Sequence, residues 1–381
     1  MAEDKIRVAI CGSANCALVL TTLVRLEPDR DLVVDCVMTD GCEGDTFDGY
    51  PAVEEKTLGD RYRAGDFDIA ILATENARLK SLSLRLLNLG IPGQFYMPQY
   101  DYNLPLGELS LDRLECLETD KPRLDYLEYH IADHCNLNCK GCTHLSNVAE
   151  PRFGDLEQFR SDISRLRELF WGITTFRLMG GEPLLNPELP EFLLTLRDAF
   201  PDTEIHVVSN GLLMKEDRAA LLQTMRQVHA NLDISQYPPS VPLHDKIRTL
   251  CSIYGVRCYF TDPVHVFRNC MDPSGSSDPA VSFAHCDVSR CTFLERGRIS
   301  TCILPFLMDR YGEVLGAEMA AGPGDIIDLY DPDITGIDIL ERISRPMASC
   351  RYCDPLHTNA YPWAVANRHV AKAEDWLAKK G

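Results

Sequence analysis

Residues 126–142 read YLEYHIADHCNLNCKGC, an apolar run typical of a β-strand followed at once by three cysteines in the spacing Cys-x3-Cys-x2-Cys. The three cysteines are Cys135, Cys139 and Cys142. Three thiolates on one short loop can bind three irons of a cubane and leave the fourth iron open to another ligand. A structural zinc site with His134 or His144 as the fourth ligand uses the same thiolate donors and is the alternative.

Alternating strand and helix patterns continue on the C-terminal side of this stretch. After residues 126–132, strands are predicted at 175–179, 204–209, 231–235 and 256–261, and helices at 156–170, 187–200, 215–228 and 243–254. Repeated β-α units of this length predict a full or partial β/α barrel over residues 125–270. The functional site of such a barrel lies at the C-terminal ends of its strands, and the cysteines follow the first strand at such an end.

The rest of the chain is predicted to form three further segments. Residues 1–100 alternate in the same way and predict a small Rossmann-like α/β domain, whereas residues 101–124 lack a period and predict a linker. Residues 271–381 are rich in loops and cysteines and predict a domain organised by a metal, with a C-terminal helix over 363–380. The predicted fold class is therefore α/β. Because only Gly12 of the expected dinucleotide-binding glycines is present, a structural or substrate-handling role is favoured over NAD binding.

Composition limits the partners of this chain. Its 381 residues carry a formal net charge of −19, which argues against nucleic acid and against anionic membranes as partners. No N-terminal signal peptide is visible, and no apolar stretch is long enough to cross a membrane. The sequence therefore predicts a cytoplasmic protein. Its 16 cysteines are too many for disulfides in a reducing compartment, so the short-spaced ones are predicted to bind metal.

A second motif, Gly180-Gly181-Glu182-Pro183, ends the second predicted strand of the barrel. Two glycines allow the backbone to approach a ligand closely, and proline stiffens the exit from the turn. Glu182 supplies an anionic acceptor for an ammonium group. A plain strand-to-helix turn is the alternative, but the position one β-α unit after the cysteines favours a ligand site.

Polar residues also follow the third and fourth predicted strands. Ser209 and Asn210 end the third strand, and the end of the fourth is flanked by Asp233, Ser235 and Gln236. Polar side chains at the strand ends of a barrel are typical ligand contacts. The dipeptide Asn210-Gly211 is equally typical of a turn, and a capped loop would also explain Ser235.

A second group of cysteines lies towards the C-terminus. Cys286 and Cys302 flank a glycine turn, and Cys350 and Cys353 form a Cys-x2-Cys pair, with Cys291 as a substitute for one of them. Four thiolates can bind an iron–sulfur cluster or, as the alternative, a structural zinc. The remaining cysteines are scattered and receive no role: Cys11, Cys16, Cys36, Cys42, Cys116, Cys251, Cys258 and Cys270.

The first cysteine group and the Gly-Gly-Glu-Pro turn together resemble the radical S-adenosylmethionine (SAM) superfamily, over roughly residues 122–380. The resemblance implies a 4Fe–4S cluster on Cys135, Cys139 and Cys142, whose open iron is chelated by the amino and carboxylate groups of SAM. One electron, from a flavodoxin or ferredoxin, would cleave SAM to a 5′-deoxyadenosyl radical that abstracts hydrogen from a small-molecule substrate.

The same resemblance implies the residues that bind SAM. They are Gly180, Gly181, Glu182 and Pro183 at the amino group, with Ser209, Asn210 and Ser235 as further contacts. Many members of the superfamily have an aromatic residue just before the third cysteine, where it packs near the adenine. Here that residue is Gly141, so the adenine contacts must come from elsewhere in the chain.

The second cysteine group resembles the C-terminal extensions called SPASM and twitch, and a twitch-type domain implies an auxiliary 4Fe–4S cluster on Cys286, Cys302, Cys350 and Cys353. Some relatives with such a cluster oxidise sugar-like alcohols, which favours an oxidoreductase with a sugar-like substrate. The alternatives are a peptide-modifying maturase and, in another class, a non-catalytic zinc or iron–sulfur electron-transfer protein. The sequence identifies no catalytic acid–base pair.

Overall fold

The computed structural model describes residues 5–40, 45–99, 101–117, 121–366 and 372–379, so Cys42 lies outside the described residues. The chain divides into two compact units, which are described separately. The first comprises residues 1–125 and 335–342, and the second comprises residues 126–334 and 343–381. In the part of the chain that the structure describes, no helix is both long and apolar enough to cross a membrane.

The first unit is built on a five-stranded sheet. Its elements are β1 (Ile6–Gly12), α1 (Ala14–Leu26), β2 (Leu32–Thr39), β3 (Thr46–Phe47), β4 (Tyr50–Pro51), α2 (Glu55–Ala64), β5 (Ile69–Ala73), α3 (Asn76–Asn88), β6 (Gln94–Tyr96) and β7 (Glu115–Cys116). The strand order is β2-β1-β5-β6-β7, in which all pairs are parallel except β6-β7. Apolar residues of β1 pack against the buried face of α1, as alternating β and α patterns predict. The assignment of this unit as a Rossmann-like domain, and its structural or substrate-handling role, stay predictions.

The linker predicted over residues 101–124 is wrong, because much of this segment belongs to the first unit. It contains three 3-10 turns, Asp101–Asn103, Leu106–Glu108 and Leu111–Arg113, and the strand β7 extends the sheet. The Asp101 carboxylate is buried and forms ion pairs with Arg113 and Arg123. Short 3-10 turns give neither the helix nor the strand period, so the sequence pattern resembled a linker.

The second unit contains the predicted β-α series. Its elements up to residue 269 are β8 (Arg123–Ala132), α4 (Leu156–Leu169), β9 (Gly172–Gly180), α5 (Leu189–Ala199), β10 (Glu204–Ser209), α6 (Ala219–Gln227), β11 (Asn231–Ile234), α7 (His244–Tyr254), β12 (Cys258–Phe260) and β13 (Val266–Asn269). Strands β8 to β12 are neighbours in chain order, and each connection contains a helix. The α/β class with a parallel sheet is thus confirmed. Closure into a partial barrel stays a prediction.

The two faces of this sheet differ in chemistry. Phe176 of β9 lies 6.1 Å from Phe159 of α4, ring centre to ring centre, so this face is covered by helices. Arg177 follows Phe176 and therefore points to the opposite face. Asp155 caps α4 by accepting hydrogen bonds from the backbone N–H groups of the first turn. The face opposite the helices carries polar side chains at the level of Arg177.

The remaining elements lie beyond the predicted barrel. They are α8 (Pro279–Ala284), β14 (Phe293–Glu295), β15 (Arg298–Ser300), α9 (Leu304–Leu315), β16 (Ile327–Asp328), α10 (Gly336–Ile343) and β17 (Asn359–Pro362). Strand β14 adds to β8 in parallel, and β15 and β16 continue the same sheet antiparallel. Residues 335–342 group with the first unit, although they were predicted to belong to the cysteine-rich domain.

The C-terminal helix predicted over residues 363–380 is wrong for the described residues of that range. Residues 372–379 contain a 3-10 turn at Ala373–Asp375, and residues 367–371 and 380 lie outside the described residues. Trp376 is fully buried, and backbone hydrogen bonds join Met271 to Trp376 and Ala378. Pairing with a distant segment thus replaces the helical hydrogen bonds that the local pattern favoured.

Candidate functional site

The cysteine loop, residues 134–144, begins directly after β8. The backbone N–H of Leu137 donates to the Cys135 Sγ atom at 3.3 Å, and the N–H of Leu145 donates to the Cys142 carbonyl. Burial raises the pKa of all three cysteines, that of Cys139 to about 12. The Cys139 and Cys142 thiols raise the pKa of Cys135 further, and Cys142 raises that of Cys139. Metal binding at this loop would therefore have to displace the thiol protons.

The loop lies in backbone contact with the Gly-Gly-Glu-Pro turn at the end of β9. A Cβ atom on Gly180 would lie 2.1 Å from the Ala132 carbonyl oxygen, and one on Gly181 would lie 2.2 Å from the His134 carbonyl oxygen. Both carbonyls belong to the chain that leads into the cysteine loop. Only glycine allows this approach, so the two predicted ligand segments form one continuous surface.

Glu182 is fully buried beneath this surface. Its carboxylate accepts hydrogen bonds from Ser209 Oγ at 2.7 Å, from the Asn210 N–H at 2.9 Å and from the Leu184 N–H at 3.0 Å. Burial raises the pKa of Glu182 to about 7, although these three donors lower it. Pro183 begins the 3-10 turn Pro183–Leu185, which presents the Leu184 N–H. The site therefore holds a carboxylate that an ammonium group would stabilise in its charged form.

Asn210 connects this carboxylate to the cysteine loop. Its side-chain amide donates to the Asn136 Oδ1 atom at 2.7 Å and lies 3.6 Å from the Cys135 Sγ atom. Ser235, from the end of β11, donates its backbone N–H to the Ser209 carbonyl at 2.9 Å. The structure thus brings together the candidate residues of three strand ends beside the first cysteine.

The histidines of the alternative zinc site lie against aromatic side chains. The His134 ring lies 5.1 Å from that of Phe153, and the His144 ring lies 4.9 Å from that of His130. Burial lowers the pKa of His144 to about 4. Within the described ranges, no three or more His, Cys, Asp or Glu side chains lie close enough to bind a single metal ion.

The sequence analysis named Asp233 but missed its partners in a polar network on the sheet face opposite the helices. Both carboxylate oxygens of Asp233 lie 3.0 Å from His206 Nδ1, and Arg177 lies 3.7 Å from the same carboxylate. The Arg177 guanidinium lies over the Tyr126 ring, whose hydroxyl donates to Glu128. The register pairs Arg177 with His206, so the network spans neighbouring strands. His206 lies three residues before Ser209 on β10. In the sequence, only its position on the strand face opposite the helices could have indicated that it belongs to this network.

Aromatic side chains from two other segments surround the cysteine loop. The Trp363 indole N–H donates to the Cys139 Sγ atom at 3.2 Å. The Tyr237 ring lies 5.9 Å from that of Trp363, and burial, with a smaller contribution from the loop thiols, raises the pKa of Tyr237. Gly141 has a φ of +64°, and a Cβ atom on it would lie 1.7 Å from the Tyr361 hydroxyl oxygen. The space that an aromatic residue at position 141 would use is thus filled by the C-terminal part of the chain.

Electrostatic interactions link the thiols of the second cysteine group, and Cys270 also takes part in them. The cysteines that interact electrostatically with one another there are Cys270, Cys286, Cys291, Cys302, Cys350 and Cys353. The Cys270 and Cys353 thiols are hydrogen-bonded, and the Asp354 N–H donates to the Cys270 carbonyl at 2.7 Å. Cys270 follows β13 directly, and the pairing of β13 with β17 brings it to this group. The donors suit an iron–sulfur cluster, which needs four thiolates.

Comparison with known proteins agrees with this geometry. Residues 129–252 match the Radical SAM superfamily, so this part of the chain is a radical SAM domain, with which iron–sulfur and SAM binding are associated. A GTP 3′,8-cyclase of Microcystis aeruginosa (strain NIES-843 / IAM M-2473) is 29% identical over 115 residues, which are 29% of this chain and 35% of the cyclase. A GTP 3′,8-cyclase of Trichodesmium erythraeum (strain IMS101) is 32% identical over 117 residues, with the same shares. The chain spans about a third of the length of these curated relatives.

Among solved structures, a crystal structure of BtrN in complex with AdoMet and 2-DOIA is similar to this chain. The similarity covers 68% of this chain and 99% of BtrN, with 15% sequence identity and a TM-score of 0.40.

Proposed function

We propose that the chain that carries this radical SAM domain is an enzyme that cleaves SAM reductively and abstracts hydrogen from a small polar substrate. The observation that carries the proposal is the buried Glu182 carboxylate, which accepts hydrogen bonds from Ser209 and from Asn210, whose side chain also contacts the first cysteine of the loop. This arrangement places a partner for an ammonium group beside the cysteine loop.

Each residue of the site has a proposed role in binding. Cys135, Cys139 and Cys142 would hold a 4Fe–4S cluster, which supplies one electron and an open iron when bound. Glu182 would accept hydrogen bonds from the SAM amino group, and the backbone at Gly180 and Gly181 would lie against the ligand. Ser209, Asn210 and Ser235 would fix the carboxylate and line the site. A flavodoxin or ferredoxin is the proposed electron donor.

The polar network on the inner face of the sheet supports a small hydroxylated substrate. Arg177 offers donors, Asp233 and Glu128 offer acceptors, and His206 is held by both oxygens of Asp233. A histidine oriented by a carboxylate is a suitable general base. We infer that His206 takes the hydroxyl proton of an alcohol after the hydrogen on its carbon has been abstracted.

A net oxidation of the alcohol also requires a one-electron acceptor. Loss of one hydrogen atom, one proton and one electron converts the alcohol carbon to a carbonyl. The second cysteine group would bind an auxiliary 4Fe–4S cluster through Cys286, Cys302, Cys350 and Cys353, with Cys291 and Cys270 as further thiols. Electrostatic interactions among these thiols support this assignment.

Relatives suggest a second class of substrate. Both cyclases named above act on GTP by name, but their similarity covers only about a third of their length. GTP and short peptides therefore belong in the substrate panel beside sugars and aminocyclitols.

The first test is the formation of 5′-deoxyadenosine, measured by mass spectrometry. Anaerobically reconstituted protein is given dithionite and SAM, beside a variant with Cys135, Cys139 and Cys142 changed to Ala. The exposed Cys116→Ala variant is the matched control for a cysteine loss outside the site. We expect product from the wild type and from Cys116→Ala, and none from the triple variant. Wild-type protein that contains iron and sulfide but yields no product with any candidate substrate would contradict the proposal.

A further inference from the structure

A segment that lies far from the cysteines in sequence runs along the cysteine loop. The Ala364 carbonyl accepts a hydrogen bond from the Lys140 N–H at 2.8 Å, and the Ala366 N–H donates to the Asn138 carbonyl at 2.7 Å. Val365 forms a β-bridge with Cys139. We call residues 359–366 the C-terminal segment. Its backbone is thus paired with the loop on both sides of Cys139.

The indole of Trp363 is fixed by these contacts. The backbone N–H of Trp363 donates to the His265 carbonyl at 2.9 Å, which continues the pairing of β13 with β17. The side-chain N–H donates to the Cys139 Sγ atom at 3.2 Å, and Tyr237 packs against the ring. Sulfur accepts hydrogen bonds well as a thiolate, so the contact would strengthen when Cys139 binds iron.

The neighbouring aromatic residue explains why the loop itself contributes no ring here. Tyr361 fills the space beside Gly141 and accepts a hydrogen bond from Asn269 at 2.8 Å. Its hydroxyl donates to the Asp375 carbonyl at 2.7 Å, and Lys140 lies over its ring. The C-terminal segment therefore supplies the aromatic surroundings of the loop.

We propose that Trp363 is a positioning residue that sets the reduction potential of the cluster through its N–H···Sγ hydrogen bond to Cys139. The inference rests on the proposed function, because it needs an iron–sulfur cluster on the loop. Hydrogen bonds to the sulfurs and exclusion of water are both determinants of such potentials. A donor to a ligand sulfur stabilises the reduced, more negative cluster, so its removal lowers the potential and makes reduction harder.

The test is a potentiometric titration followed by electron paramagnetic resonance. The signal to follow is the one that changes when SAM is added, which separates this cluster from a second one. Trp363→Phe keeps an aromatic ring and removes only the donor. Trp376→Phe is the matched control, because its indole N–H donates to the Cys142 carbonyl instead of a sulfur. We expect the ratio of reduced to oxidised cluster at a fixed potential to fall about tenfold in Trp363→Phe, which is about 59 mV for one electron.

Three outcomes decide the inference. An unchanged midpoint in Trp363→Phe, or equal shifts in both variants, would overturn it while leaving SAM cleavage and the proposed function intact. If Trp363→Phe binds no iron, wild-type protein with ¹⁵N-labelled indoles decides instead: coupling of an indole nitrogen to the reduced cluster supports the inference, and its absence overturns it. A wild-type protein without any SAM-responsive cluster would instead refute the proposed function itself.

Discussion

The hydroxyl of Ser209 is expected to control the pH range in which SAM binds. It is 2% exposed, donates to the Glu182 carboxylate at 2.7 Å and accepts a hydrogen bond from the Gly211 N–H at 3.0 Å. Ser209→Ala removes the only side-chain donor among the three groups that bind this carboxylate. The Asn210 and Leu184 N–H groups remain.

The size of the effect follows from the charge of the acceptor. A hydrogen bond to a charged group contributes about 1.5–3 kcal/mol, and one pKa unit corresponds to about 1.4 kcal/mol. Loss of the bond should therefore raise the pKa of Glu182 by about one to two units, from about 7 to roughly 8–9. At pH 7.5 the ionised fraction of Glu182 is then smaller in Ser209→Ala than in the wild type, and the Kd of SAM should rise about 3- to 25-fold.

Equilibrium dialysis of SAM against reconstituted protein between pH 6.5 and 9.5 measures this shift. Because only the ionised carboxylate pairs with an amino group, affinity should rise with pH, and the ratio of the two Kd values should approach one near pH 9.5. Titration of SAM itself cancels in that ratio. Ser161→Ala, on the exposed face of α4, is the control. A ratio that is the same at every pH would refute the reasoning, since it would indicate altered packing without altered ionisation.

Three further changes test other parts of the site. Gly141→Ala should lower the iron content per chain, measured by iron analysis, because Gly141 has a φ of +64° and its Cβ atom would meet the Tyr361 hydroxyl and the Asp375 carbonyl. His206→Asn should keep 5′-deoxyadenosine formation but lower substrate oxidation about 10²-fold or more, as measured by the ratio of the two products. Cys353→Ser should retain the second cluster in Mössbauer spectra, because Cys270 lies beside it, whereas Cys270→Ser with Cys353→Ser should lose it. Equal losses of the second cluster in the single and the double cysteine variants would contradict the replacement of Cys353 by Cys270 as a ligand.

The sequence predicted well those features that depend on neighbouring residues. The cysteine spacing and the Gly-Gly-Glu-Pro turn are local, and parallel strands bring their C-terminal ends to one edge, so the proximity of Glu182 to the loop could be expected. The β-α series was predictable for the same reason, since each unit has its own period. The errors at residues 101–124 and 363–380 arose where short turns or distant pairing replaced a local pattern.

Contacts between distant residues could not be predicted in this way. The His206–Asp233 pair depends on the register of β10 and β11, which a single strand pattern does not determine. Cys270 joins the second cysteine group only because β13 pairs with β17. In each case the residue type was visible in the sequence, but its contact partner is determined by the packing of the whole unit.

The contact between Trp363 and Cys139 also has a consequence for biosynthesis. The two residues are 224 positions apart, so the ribosome must add all the intervening residues after it has made the cysteine. At about 5–20 residues per second this takes roughly 10–45 s. During that time the nascent loop lacks its indole donor and its backbone pairing with residues 364–366. The complete set of contacts around the loop therefore forms only after residue 366 has been made, and slower elongation between residues 139 and 366 would lengthen this interval.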